Sequence, residues 1–164
     1  MSSSPLPADL FTRPSRRVLL GVGVTTVAAS LLPACSEVTP EPRKIKWGRD
    51  VCEFCHMVFG DRRFAAQIWD AGLSRARIYD DFGCAVLAAD ELGLLGRDDV
   101  RFWVSDDLDP TRWIDARSAH YRDGVVTPMG YGHSAASTAA ADHPLGFLAA
   151  ATAIRDKAAC EHKT

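Results

Sequence analysis

The sequence lacks an excess of charge of either sign and lacks a convincing membrane span. Its 19 basic and 21 acidic residues give a formal net charge of −2 over 164 residues, and a chain so balanced carries no basic stripe for a nucleic-acid backbone. Its one extended apolar run, Val18 to Leu32, is diluted by Gly21, Gly23, Thr25, Thr26 and Ser30. It falls short of the ~20 clearly apolar residues that a spanning helix needs. Disorder is excluded too, because 47% hydrophobic against 24% charged residues is the balance of an ordinary globular domain.

The diluted run reads instead as the h-region of an export signal. A Ser/Pro-rich start, Met1 to Pro14, leads into Ser15-Arg16-Arg17 and then the apolar stretch, the n-region and h-region order of a secretory signal. The paired arginines, with Leu19-Leu20 two places on, look like a twin-arginine signal. Leu32-Pro33-Ala34-Cys35 resembles a bacterial lipobox, which makes Cys35 the expected lipidation site. Residues 1–34 are thus expected to be a signal peptide and 35–44 a lipidated tether, the latter marked by Pro40 and Pro42. Residues 45–160 are expected to form the domain. Taking Arg13, Arg16, Arg17 and Asp9 away with the signal leaves 16 basic against 20 acidic residues, a net −4. The expected attachment to a membrane is therefore the lipid, on the periplasmic face of the cell envelope, and not a polybasic footprint.

Beyond Cys35 there remain Cys52, Cys55, Cys84 and Cys160. An exported chain with an even number of thiols invites disulfides. A Cys52–Cys55 bridge, however, closes a loop too small to constrain the unfolded chain much. Thiols this close more often serve redox chemistry or a metal.

Hydrophobic periodicity predicts a small α+β domain. Residues 64–69 and 76–79 alternate as two strands of a hairpin around Asp70 to Ser74. A helix follows from Asp80 or Asp81 as N-cap, with Gly93 and Gly96 at its end. Residues 100–105 supply a third strand, completing a β-β-α-β unit. A second cycle is expected from short strands at 112–114, 119–121 and 130–134, a helix over Ala135 to Ala141, and a last helix over 147–157 beyond His143-Pro144.

The chemistry gathers in Cys52-Glu53-Phe54-Cys55-His56-Met57. Thiolate and thioether are polarizable donors that suit Cu(I). In an extended backbone Cys55 and Met57, two residues apart, point the same way. A further soft donor is Met129, in the turn Thr127-Pro128-Met129-Gly130, which lacks the periodic apolar neighbours of a core methionine. His56 and His133 are additional candidates. Two other readings stay open: a thiol–disulfide oxidoreductase acting through Cys52 and Cys55, and a structural zinc module that adds Cys160 and His162. Asp80, Asp81 and Cys84 read first as a helix start with a small buried residue one turn on, and Trp103 and Trp113 as core.

Five segments together resemble the NosL family of periplasmic copper-binding lipoproteins: Cys52 to Met57, Asp80-Asp81-Phe82-Gly83-Cys84, Trp103-Val104, Trp113-Ile114-Asp115-Ala116, and Thr127-Pro128-Met129-Gly130-Tyr131-Gly132. The resemblance implies an α+β domain of β-β-α-β units, related in fold to the core of organomercurial lyase. It implies a membrane-anchored Cu(I) chaperone, not an enzyme, that supports maturation of nitrous oxide reductase or another apo copper enzyme, or serves a copper-handling membrane transporter. Carried over residue by residue, it makes Cys55, Met57 and Met129 the leading ligands and Cys52 the next.

Overall fold

A computed structural model describes residues 38–161. The expected signal segment, Cys35 and His162 lie outside the described residues. Among those described, no helix is long and apolar enough to cross a membrane.

Strand β1 (Ala66–Asp70) and strand β2 (Arg75–Tyr79) form the expected hairpin, paired antiparallel from Ala66 opposite Tyr79 to Asp70 opposite Arg75. Asp70 holds the turn, its Oδ1 accepting from the Leu73 amide at 3.0 Å. Helix α1 (Phe82–Glu91) follows. Its N-cap is Asp81, in extended backbone, whose Oδ1 accepts from the Gly83 amide at 2.8 Å and so satisfies a donor the first turn leaves free. At the other end Gly93 takes φ +66°. The Leu94 amide returns to the Ala89 carbonyl at 2.7 Å and the Gly93 amide to Asp90 at 3.0 Å. That is the Schellman arrangement, which glycine permits at this position without a Cβ penalty.

Strand β3 (Phe102–Ser105) pairs with β1, and strand β4 (Trp113–Asp115) with β3, completing an antiparallel sheet in the order β2-β1-β3-β4. Strand β5 (His120–Arg122) and strand β6 (Ser134–Ala136) make a separate antiparallel pair. Helix α2 (Phe147–Glu161) follows Pro144 and runs four residues past the expected end. The elements make a small α+β domain with antiparallel sheets and two helices.

Two expectations fail in the second half. Residues 130–133 carry no strand, which begins only at Ser134. Ala135 to Ala141 is not a helix: Ala135 and Ala136 are buried and pair with Tyr121 and His120, and residues 137–141 carry no helix. Alanine's helix propensity is a few tenths of a kcal/mol per residue over its competitors. Here tertiary pairing outweighs it, because small side chains let β6 pack closely and the Ala135 carbonyl accept from Asp107 at 2.8 Å.

The core joins both halves through aromatic rings. Phe82 at the start of α1 stacks on Tyr121 of β5 with centroids 4.6 Å apart, and Phe147 of α2 meets Phe102 of β3 edge-on at 5.5 Å. The Tyr121 hydroxyl donates to the Ala116 carbonyl at 2.7 Å, which satisfies the one polar atom that burial would otherwise penalise. Trp103 and Trp113 are only partly buried. The first turn of α1 is thereby fixed between the sheet and α2, and that placement governs the site.

Candidate metal centre

The loop that carries Cys52 and Cys55 is closed by its own backbone. The Cys52 amide donates to the Met57 carbonyl at 2.8 Å, the His56 amide to the Cys52 carbonyl at 3.1 Å, and Val51 and Val58 form an antiparallel bridge below. His56 completes the reversal at φ +63°, in the left-handed region that few non-glycine residues enter.

Glu53 ties this loop to the sheet. Its amide donates to the Ile78 carbonyl at 3.0 Å, and its carboxylate accepts from Arg75 at 2.6 and 3.1 Å and from the Ile78 amide at 3.3 Å. A two-pronged guanidinium–carboxylate pair fixes direction as well as distance. The loop is thus held against β2, whose last residue, Tyr79, leads into Asp80, the helix cap and Cys84.

The result is a cluster of four donors. Ligand atoms of Cys52, Cys55, Asp80 and Cys84 all lie within 4.8 Å of one another. Cys52 and Cys84 are fully buried, Asp80 is 2% exposed, and Cys55 is partly exposed. Two donors bound to one ion at about 2.3 Å each stand roughly 3.8 Å apart in tetrahedral geometry and at most about 4.6 Å apart. Separations of up to 4.8 Å exceed the tetrahedral value by up to about 1 Å, so a single ion would draw the donors inward on binding.

Protons are unevenly shared among these thiols. The hydrogen bond from Cys84 stabilises a Cys52 thiolate and holds Cys52 down to about 7. Its counterpart keeps the proton: that same hydrogen bond, then burial, pushes Cys84 well above the ordinary thiol value. Burial, with the neighbouring thiol and carboxylate, pushes Cys55 up to about 12, and its Sγ donates to Asp80 Oδ1 at 3.3 Å. A bound cation would reverse this order, since metal ligation deprotonates thiols outright.

Around the cluster, Asp81 joins a second segment to the helix start. Fully buried, it accepts from Gly83 on one oxygen and from the Met129 amide on the other at 3.0 Å. Burial raises its pKa, opposed by these donors. The turn it holds also carries Tyr131, which burial pushes up to about 12 with the neighbouring Cys84 contributing.

Of the residues singled out in the sequence, Cys52 and Cys55 are brought together. Met57 is 50% exposed in the same loop, and Met129 packs partly buried against the core. The four-residue cluster contains neither His56 nor His133. His133 is buried, with Nδ1 2.8 Å from the Tyr131 carbonyl oxygen. Cys160 lies exposed on α2, apart from the cluster. Sequence reasoning assigned Asp80 and Cys84 to the fold, whereas their side chains stand among the donors. No helical spacing announces the pair, because Asp80 precedes the extended N-cap Asp81 while Cys84 lies inside α1.

Comparison with protein-family models, curated proteins and solved structures finds no match to this chain.

Proposed function

We propose that the domain is a Cu(I) carrier of the NosL kind, anchored by lipid at Cys35 to the periplasmic face of a membrane. In this reading it delivers copper to an apo enzyme, with nitrous oxide reductase as the candidate client, or exchanges copper with a membrane transporter. The observation that carries the reading is the convergence of three sulfurs, Cys52, Cys55 and Cys84, within 4.8 Å. Thiolates are the donors that select Cu(I) over the harder divalent ions. Copper is cargo here, and no catalytic step is assigned to the protein.

A thiol–disulfide oxidoreductase is disfavoured by access. Cys52, the thiol held lowest in pKa, is fully buried, and a nucleophilic thiolate must be reachable by its substrate disulfide. Zinc is the reading that one specific observation favours. Asp80 supplies an oxygen as fourth donor, and three sulfurs with one oxygen make a closed tetrahedral set of the kind zinc takes. Cys160 and His162 are not needed for it.

The deciding experiment is an anaerobic Cu(I) competition titration of the full chain against a chromophoric chelator, repeated for Cys52→Ser, Cys84→Ser, Met57→Ala and Met129→Ala. One equivalent held tightly and weakened at least a hundredfold by either cysteine change supports the carrier. Loss in the methionine variants adds the thioethers to the ligand set. Absence of tight Cu(I) binding, with one tightly held Zn(II), would replace copper by zinc.

A further inference from the structure

The cluster is closed on three sides and open on one. Cys52 and Cys84 are fully buried and Asp80 nearly so, whereas Cys55 is partly exposed. The loop that presents Cys55 also carries the exposed side chains Val51, Met57 and Val58, each 46–52% exposed. Of the four donors, Cys55 is therefore the one that an incoming donor meets at the surface.

Resting on the copper reading, we propose that Cys55 is the displaceable ligand of this site, that Cys52 and Cys84 are the retaining pair, and that copper leaves to a thiol-bearing acceptor that attacks from the Cys55 side. In the first exchange a Cu–S bond to the acceptor forms and the Cu–S bond to Cys55 breaks. Copper leaves when further acceptor sulfurs displace Cys84 and Cys52 in the same way, each released protein sulfur taking the proton of the thiol that displaces it. No electron moves, and copper stays Cu(I). Once released, the protonated Cys55 thiol has an acceptor at hand, since its Sγ donates to Asp80 Oδ1 at 3.3 Å. Asp80 is thus the parking place for the ligand that has let go, which keeps Cys55 turned inward and ready to rebind. Cys84 sits on the first turn of α1, anchored by the Asp81 cap and the Phe82 ring in the core.

The test uses the full chain loaded anaerobically with one equivalent of Cu(I) and mixed with a concentration series of glutathione, copper remaining on the protein being measured after rapid desalting. The transfer rate is expected to rise in proportion to glutathione, as attack before departure requires. Cys55→Ser is expected to lose less Cu(I) affinity than Cys84→Ser and to transfer its copper at least tenfold faster than wild type. Cys84→Ser, checked for folding by its thermal melt, is expected to lose affinity at least a hundredfold. A rate independent of glutathione, or a Cys55→Ser protein that transfers no faster than wild type or loses copper as completely as Cys84→Ser, would overturn the proposal while leaving the carrier reading standing. A wild-type chain that takes up no Cu(I) would remove both.

Discussion

The Tyr131 side chain packs so closely on Gly83 that a β-carbon at position 83 would overlap its Cβ, Cγ and Cδ2. Gly83 is the second residue of α1, one place before Cys84. The contact thus seats the turn that carries Met129 directly on the helix start that carries Cys84. The atoms in the way belong to the root of an aromatic side chain, which has no flexible end to yield. Gly83→Ala is expected to expel Tyr131 and cost about 1–3 kcal/mol, the range for overpacking a close contact. Urea unfolding checks this, with a rise in near-ultraviolet accessibility of tyrosine reporting the displaced ring.

Asp81 makes the same junction with hydrogen bonds. Asp81→Ala leaves the Gly83 and Met129 amides without their acceptor, and the loss of a helix cap plus a buried charge-assisted bond amounts to about 2–3 kcal/mol. Asp81→Asn keeps one acceptor but sets an amide donor against the second N–H, so it is expected to recover only part of that loss. Chemical denaturation of the two variants side by side measures the difference. An Asn variant as stable as wild type would mean that only the cap matters.

The first half of the domain was legible because local signals and tertiary structure agree there. Alternation in β1 and β2, Asp81 before an apolar helix, and Gly93 after it each specify the element that forms. In the second half they disagree. Ala135 and Ala136 have helix propensity and no β-branched or aromatic character, yet they pair with β5 because only small side chains fit against the buried Tyr121. The site divided the same way. Cys52 and Cys55 announce themselves by proximity in sequence. Cys84 lies 29 and 32 residues further on and joins them only through the hairpin and the Glu53–Arg75 clamp, long-range relations that no local spacing encodes.

His56 occupies a left-handed conformation, at φ +63°, that costs an L-residue with a Cβ roughly 1–2 kcal/mol. Glycine there would relieve the strain but lose more entropy on folding. His56→Gly is therefore expected to change stability by less than about 1 kcal/mol, in the favourable direction. Its imidazole stands outside the donor cluster, so Cu(I) stoichiometry and affinity in the same competition titration are expected to stay as in wild type. A drop of tenfold or more would bring His56 into the ligand set.

Asp70 gives the domain a pH signature away from the cysteine cluster. Arg77 donates to its Oδ2 at 2.7 Å, which holds its carboxyl below the usual range. A depressed carboxyl pKa in the folded state contributes stability above the unfolded pKa, near 3.9 for aspartate, and that contribution is lost as pH falls through the folded value. Both partners are partly solvated, with side-chain exposures of 22% and 32%, so the pair is worth about 1 kcal/mol. Asp70→Asn is expected to be less stable than wild type by that amount at pH 7. The gap should close progressively below about pH 4, as followed by thermal melts across the acid range.

Asp80 separates the copper reading of the cluster from the zinc reading. A soft monovalent ion is satisfied by three sulfurs, and a carboxylate adds little to it. Zn(II) prefers four ligands and accepts carboxylate oxygen at ~2.0–2.2 Å. Asp80→Asn keeps the size of the side chain, and its amide oxygen can still accept the Cys55 thiol hydrogen, but it removes the anionic donor. For a copper site the substitution is expected to leave Cu(I) affinity within about tenfold of wild type. For a zinc site it removes one of four ligands and is expected to weaken Zn(II) by at least a hundredfold. Parallel titrations of wild type and Asp80→Asn with both ions, under anaerobic conditions so that the thiols stay reduced, therefore read the donor count directly. Three sulfurs suffice for the first outcome, whereas the second requires the carboxylate to be bound to the metal and not merely hydrogen-bonded to Cys55.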